Sequence, residues 1–421
     1  MNKKVIFSLV VVLFATALRA QSTTTPVQDE MNPLITSMPS LSIAPDARSA
    51  GLGDQGVATE ADFNAQYWNP AKYAYMYSKG GITANYTPWL RSLVGDIDLA
   101  YLAGFYNFGD LGGGIGASFT YFSMGDVALT DGSGNVLQNV RPNEWALDLS
   151  YFRKLHEYVS MSVAIRVLYS DLNNGYNSSI GGGSEMHPAV TAAADIALYY
   201  RQPIELPMGT SHFNLGFSLK NLGGKMTYDS ITSNFIPTSM NIGVSYELPI
   251  NKYNFLTFNV EANKMMVPSR KSRFTTKATA MYPELWTDDP NPEPIDPTNL
   301  NTWQMSQDAY SAMNPAVGWF RSFADAPGGA KEEFQEVRWG AGIEYSYNHQ
   351  FFARVGYSYE NFYKGNRNYF TFGAGFHLSI VTLDISYCVG VAATNPLNNT
   401  MRFTLGFDLY GIKDLVNNKR K

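Results

Sequence analysis

The amino-acid sequence predicts an all-β membrane protein: a 14-stranded antiparallel outer-membrane β-barrel with a short helical N-terminal plug. Three observations predict it. The chain opens on a secretory leader, yet no later run of 18 apolar residues could cross a bilayer as a helix. Segments of mostly 9–14 residues alternate apolar and polar side chains with the period of a strand. The connections between them alternate short and long, as barrel turns and loops do.

The elements follow in chain order. Residues 1–20 read as a signal peptide: Lys3 and Lys4 precede the apolar stretch from Val5 to Ala17, and cleavage fits after Ala17 or Ala20. No Cys lies near the cut, which argues against a lipid-anchored N-terminus. Cys388 is the single cysteine, so no intramolecular disulfide can form. A net charge of −5 lends no support to nucleic-acid binding, whereas 14% aromatic residues and 36 Gly suit a membrane barrel.

Residues 21–79 read as the plug. In "DFNAQYWNPAKYAYM", 62–76, the centre Trp68-Asn69-Pro70-Ala71-Lys72 carries Asn, a good helix cap, and Pro, pre-shaped for the first helical position. Pro45 to Ala50 predicts another short helix, ended by Gly51 and Gly53. Asp46, Arg48, Asp54 and Lys72 are expected to pair with a charged lumen wall, and the Asn69-Pro70 cap to fix where plug ends and wall begins.

Residues 80–410 read as the barrel. Its fourteen strands are expected near 80–88, 95–108, 111–123, 144–154, 158–170, 188–201, 210–221, 238–248, 253–264, 336–347, 350–360, 367–379, 381–391 and 400–410. In "YVSMSVAIRVLYS", 158–170, Val159, Met161, Val163, Ile165, Val167 and Tyr169 share one face, and Ser160, Ser162, Ala164, Arg166 and Ser170 the other. A charge facing lipid at mid-depth costs about 2–4 kcal/mol, so strand charges are expected to face the lumen. Asp98, Asp148, Arg166, Asp195, Glu261, Arg338, Glu344, Arg354, Asp384, Arg402 and Asp408 are assigned there; Arg153, at a strand end, breaks the pattern. Short connections ("GDLG", "LHE", "INK", "NH", and a slightly longer turn at 202–209) alternate with long ones at 124–143, 171–187, 222–237 and 265–335. The even count is expected to put both termini, including the tail 411–421, in the periplasm and the long loops outside. A secreted β-sandwich would alternate too, but would not need fourteen strands of similar length.

The loop at about 265–335 is far longer than usual connections. "PELWTDDPNPEPIDP", 283–297, reads as extended chain. "SAMNPAVGWFRSFADAP", 311–327, follows it. Trp286, Trp303, Val317, Trp319, Phe320 and Phe323 are candidate cargo or partner contacts; the alternative is that this stretch folds back over the barrel mouth. Arg270, Lys271, Arg273 and Lys277 add a basic stretch at the loop base.

No motif of catalysis or metal binding is present: no G-x-S-x-G, H-E-x-x-H, P-loop or C-x-x-C. "GGGIGA", 112–117, lies in a strand with no helix after it, so its glycines are expected to thin the wall for something close inside. The five His, His156, His187, His212, His349 and His377, are not spaced as ligand pairs, and "DGSGN", 131–135, reads as a turn. No catalytic residue, metal or cofactor is expected. A site assembled across strands from His377, Asp384 or Glu344 is the enzymatic alternative.

Several stretches carry a family resemblance: "LSIAPDARSAGLGDQGVATEADFNAQYWNPAKYAYM", 41–76; "YTPWLRSLVGDIDLAYLAGFY", 86–106; "EWALDLSYFRKL", 144–155; "SDLNNG", 170–175; and "AADIALYYR", 193–201. Together they resemble the PorV family, outer-membrane barrels of the type IX secretion system of Bacteroidota. The likeness runs from about residue 40 to the last strand and is most specific in 40–200. Asn69-Pro70-Ala71 also resembles the hatch motif of FadL-type barrels, fourteen-stranded channels for hydrophobic compounds. The resemblance implies a non-enzymatic adaptor, bedded in outer-membrane lipid and lipopolysaccharide beside the type IX translocon barrel. It would bind C-terminal signal domains of exported cargo at the extracellular side and pass them to the sortase-bearing attachment complex. The competing expectation is a FadL-like channel for hydrophobic small molecules, against which a charge-rich lumen argues mildly.

Overall fold

The structure, a computed structural model, describes residues 31–109, 112–130, 133–174, 186–229, 232–286, 303–378, 380–392 and 395–412. The signal peptide, most of the Pro-rich stretch 283–297, Asp131 and Gly132 of the "DGSGN" turn and nearly all of the tail lie outside the described residues.

The strands are, in chain order, β1 (Gly80–Pro88), β2 (Asp98–Gly109), β3 (Gly113–Ser123), β4 (Val127–Thr130), β5 (Val136–Val140), β6 (Asn143–His156), β7 (Val159–Asp171), β8 (Ala189–Leu206) and β9 (Gly209–Gly223). They continue with β10 (Lys225–Thr227), β11 (Ser233–Phe235), β12 (Ser239–Pro249), β13 (Asn254–Met265), β14 (Val337–Tyr347), β15 (Phe351–Tyr359), β16 (Tyr369–Leu378), β17 (Val381–Gly390) and β18 (Met401–Asp408). β4 with β5 and β10 with β11 form small hairpins in long connections; the other fourteen close an antiparallel barrel. Its seam is β1 on β18, with Gly81 opposite Asp408 and Tyr86 opposite Phe403.

The wall is inverted relative to a soluble protein. Along β7, Ser160, Ser162, Ala164, Arg166, Leu168 and Ser170 are buried, while Val163, Ile165 and Val167 lie outside, Ile165 at 65% exposure. An apolar exterior around a polar interior is stable only if lipid replaces water outside. The expected fourteen strands are therefore the observed ones, with boundaries moved by a few residues.

Two expectations need correction. Asp98 lies on the outward face of β2, in phase with the exposed Leu102, Tyr106 and Phe108. It is tolerated because it sits at the strand end, where it takes hydrogen bonds from the Tyr86 hydroxyl (2.7 Å) and Arg91 (3.0 Å). The turn at 202–209 is in fact tight. β8 runs on through Pro203 to Leu206 and pairs with β9 back to Gly209. β8 outruns β7, whose pairing stops at Val159 opposite Tyr200. On that free side Pro203 lacks an N–H that no partner would have used.

Inside the barrel lies the N-terminal segment. It carries a helical turn at Ala47–Gly51, another at Ala65–Trp68 and a 3-10 helix at Pro70–Tyr75. Its apolar side packs on the wall: Phe63, Ala65, Tyr73 and Ala74 cluster with Phe105 and Phe152. Tyr73 stacks on Phe105 at 4.4 Å between ring centroids.

Candidate functional site

Two regions carry the chemistry: the interface between the N-terminal segment and the lumen wall, and the loop over the long-loop mouth.

The segment is shaped locally by caps. The Asp46 carboxylate accepts from the Ser49 N–H (2.8 Å) and the Trp68 indole N–H (2.7 Å), which fixes the start of the turn Ala47–Gly51 just after Pro45. Asn69 Oδ1 accepts from the Ala71 N–H (3.1 Å), with Pro70 at the first helical position. The Asn69 amide donates to the carbonyls of Val57 (3.0 Å) and Leu198 (2.9 Å), the latter on β8. Burial, then the neighbouring Asp62, pushes the Asp46 carboxyl above its ordinary value.

Electrostatics hold the segment to the wall. Arg48 donates to both oxygens of Glu344 (3.0 and 3.2 Å) and to Asp62 (3.0 Å). Burial works against the Arg48 charge, but Glu344 and Asp62 more than offset it. Glu344 also pairs with Arg354 (2.5 Å), and Arg354 with Asp384 (2.6 Å), so one charge chain crosses from segment to β14, β15 and β17. Glu261 accepts from the N–H groups of Gly56 (2.8 Å) and Val57 (2.9 Å). Arg402 donates to the Ala44 carbonyl (3.0 Å) and approaches Asp54 at 3.6 Å. Removing one partner from such a buried pair strands a charge at about 3–5 kcal/mol, so these pairs fix one docked position.

Of the four segment charges expected to meet the wall, Arg48 and Asp54 do. Asp46 serves its own segment, and Lys72 donates to the Gly56 carbonyl (2.7 Å) and Thr59 Oγ1 (3.0 Å), also within it. Burial pushes the Lys72 ammonium below its ordinary value, which suits a donor to two neutral acceptors. Gly51 lies against the backbone of Gly373, and Gly53, at φ +86°, against that of Tyr357. A Cβ on Gly116 would overlap Gln66, so one glycine of "GGGIGA" does face a close neighbour inside. Sequence reasoning missed the wall partners Thr404, which accepts from the Ala47 N–H (2.9 Å), and Tyr369, which donates to Asp54.

On the short-turn side a cavity of about 780 Å³ opens between segment and wall, lined by Glu60, Phe255, Phe352, His212, His349 and His377 among others. His212 Nδ1 is 3.2 Å from Glu247, and His377 Nε2 is 3.5 Å from Asp384. Of the trio His377, Asp384 and Glu344, both carboxylates are bound by Arg354, which ties them to the charge chain between segment and wall. Among the described residues no group of three His, Cys, Asp or Glu could hold a metal ion.

The long loop folds back and also presents a surface. Tyr310 and Met305 are buried with Val267 against Phe235 of β11. Asn314 caps the helix Pro315–Arg321 through the Ala316 N–H (2.9 Å), and Gly318 of that helix lies against the Phe235 ring. The helix Ala330–Gln335 is stapled to the rim. Lys264 pairs with Glu333 (2.8 Å) and Glu336, and Lys364 with Glu332 (2.6 Å) and Glu336 (3.0 Å). Outward from this scaffold stand Val317 at 43%, Phe320 at 76% and Phe323 at 42% exposure. Trp286, Trp303 and Trp319 are half-buried. The structure therefore leaves Val317, Phe320 and Phe323 exposed on the helix and just past its end, an apolar ridge from which Trp286 and Trp303 stand apart in sequence and exposure. The rim lysines and the acidic run in "KEEFQE", 331–336, were the missed signal.

The sequence profile described as "Type IX secretion system protein PorV" matches residues 26–272. No curated protein matches the chain. Among solved structures, the toluene transporter TbuX of Ralstonia pickettii aligns over 86% of this chain and 97% of its own, with 10% identity and a TM-score of 0.47. The toluene transporter TodX of Pseudomonas putida aligns over 90% and 98%, with 11% identity and a TM-score of 0.47. A Pseudomonas aeruginosa FadL homologue aligns over 90% and 99%, with 10% identity and a TM-score of 0.38.

Proposed function

The chain belongs to the PorV family, an outer-membrane component of type IX secretion, and we propose that it acts there as a non-enzymatic adaptor holding the C-terminal signal domains of exported cargo. The observation that carries this reading is the rim-stapled loop, whose apolar ridge Val317, Phe320 and Phe323 faces outward. Exposed aromatic side chains on a structured scaffold are the usual anchors of a protein contact. Both termini lie in the periplasm on this reading, so the ridge faces the cell exterior, where cargo leaves the translocon barrel. Cargo then passes to the sortase-bearing attachment complex, while outer-membrane lipid and lipopolysaccharide surround the wall.

The N-terminal segment serves as the plug. Pro45, Asp46, Arg48, Gly51, Gly53 and Trp68 to Lys72 close the lumen, which makes the protein a holder of cargo rather than a conduit. The test is the triple substitution Val317→Ser, Phe320→Ser and Phe323→Ser. Cargo signal domains should no longer co-purify while heat-modifiable gel mobility of the barrel is unchanged. Undiminished co-purification rejects the ridge as the contact. The short-turn cavity, with Phe255 and Phe352 in its wall, favours a second reading, a FadL-like channel for hydrophobic compounds. Gene deletion separates the two: stalled cargo marks the adaptor, and normal secretion with lost uptake of a hydrophobic compound marks the channel.

A further inference from the structure

On the long-loop side of the N-terminal segment the lumen holds a partly open chamber of about 60 Å³. Tyr67 and Trp68 of the segment, the inner faces of β9, β12, β13 and β14, and the connection between β15 and β16 line it. Seven charged residues reach it: Lys220, Arg338, Lys364 and Arg367 against Asp54, Glu336 and Glu360.

The three carboxylates are already engaged. Glu360 takes two hydrogen bonds from Arg367 (2.7 and 2.8 Å). Glu336 holds Lys364 (3.0 Å) and Lys264. Asp54 holds Arg402 at 3.6 Å and the Tyr369 hydroxyl. The next carboxylates outward are engaged too: Asp195 by Arg166 (3.0 Å) and the Asn221 N–H (2.6 Å), Glu261 by the N–H groups of Gly56 and Val57.

Lys220 and Arg338 remain. Lys220 is 7% exposed, and its ammonium stands 3.6 Å over the Tyr67 ring. Among the described residues neither side chain has a hydrogen bond or an ion pair; Lys220 is buried and Arg338 partly exposed. A cation–π contact returns only part of the hydration that the buried Lys220 ammonium gives up, and Asp195 and Glu261, which act on it from further away, are already engaged by other donors, so the chamber is short of negative charge.

We propose that this chamber binds a small inorganic anion, of chloride or phosphate size, between Lys220 and Arg338. A single water needs about 10–15 Å³, so the chamber has room for a small inorganic anion together with a few waters. The anion ties Tyr67 and Trp68 of the segment to β9 and β14, and so helps to lock the segment in the lumen.

The test uses the full chain purified in detergent, its thermal unfolding followed by heat-modifiable gel mobility. Sodium bromide, chloride or phosphate is titrated against the bulkier sodium gluconate at constant ionic strength. The expected result is a saturable rise in midpoint, on the order of 2–4 °C, with a small anion and not with gluconate. The rise should vanish in Lys220→Met and in Arg338→Met, and persist in the surface variant Lys331→Met. Should either lumen variant fail to fold, bromide-soaked crystals of the unaltered chain give the answer, with an anomalous peak touching Lys220 and Arg338. Equal midpoints in all salts, a rise that survives in both lumen variants, or a chamber without bromide would each overturn the proposal.

Discussion

Arg48 binds Glu344 of the wall and Asp62 of its own segment, and Glu344 shares itself with Arg354. In Arg48→Met, Glu344 keeps one arginine, whereas Asp62 loses its only ion pair among the described residues and keeps the Asn64 N–H (2.9 Å). The loss is expected near the low end of about 3–5 kcal/mol, read as a lower urea midpoint of the detergent-solubilised barrel. Asn69 makes three contacts from one amide, and Pro70 starts the helix they hold. Asn69→Ala with Pro70→Ala should raise single-channel conductance in planar bilayers; unchanged conductance would count against a plug. Asp325 lies in the long loop, outside the membrane-spanning strands. Burial first, then Glu336, pushes its carboxyl from 3.8 up to about 8. One of its oxygens accepts from the Ser269 N–H (2.7 Å) and the other has no partner, as suits a protonated acid. The folded loop holds this proton more tightly than the unfolded chain. The stability it contributes is present below the unfolded value and is lost as pH rises through about 8. Protease nicking of the loop should therefore increase between neutral pH and pH 9, and Asp325→Asn should flatten that rise. At this scale the sequence was only partly legible. Parity placed Glu344 and Arg402 inside, but it could not show that Asp98 sits at a rim, where an outward charge reaches water and Arg91.

Helical pieces here share one device. Asn69-Pro70-Ala71 and Asn314-Pro315-Ala316 both put an Asn side chain on the N–H two residues on, with Pro at the first helical position. The first was legible from sequence; the second lay inside a stretch read only for its aromatics. The helix Ala330–Gln335 is short, with Gly329 ahead of it and no side-chain cap, so its position depends on Lys264 and Lys364. Replacing both lysines by Met should free the loop base, seen as faster proteolysis near 330 with unaltered barrel mobility on gels. Shortening the loop across 280–330 should likewise leave the barrel folded while cargo capture weakens. Strands were the most legible elements, because a period of two over ten residues is a strong signal. The β8 boundary was lost at Pro203, since a proline marks the end of pairing only where both sides of the strand are paired.

For the molecule as a whole, wall and segment fit as one body. A Cβ on Gly356 would overlap Leu52 and Gly53, and one on Gly216 would overlap Val57. Gly356→Val should therefore displace the segment or block assembly, which the ratio of heat-modifiable to denatured barrel in isolated membranes would report. Normal assembly together with unchanged segment protection from protease would show that the close fit is dispensable.

The sequence by itself determined the number of strands, their inward and outward faces, the alternation of short turns and long loops, and the caps of the segment's helix. Each of these is set by neighbours a few residues apart along the chain. Only the tertiary structure decided which wall residue meets Arg48, which carboxylates are already taken around Lys220, and how the long loop is fastened to the rim. Those pairings join residues up to hundreds of positions apart, and closing the barrel is what brings them within hydrogen-bond reach.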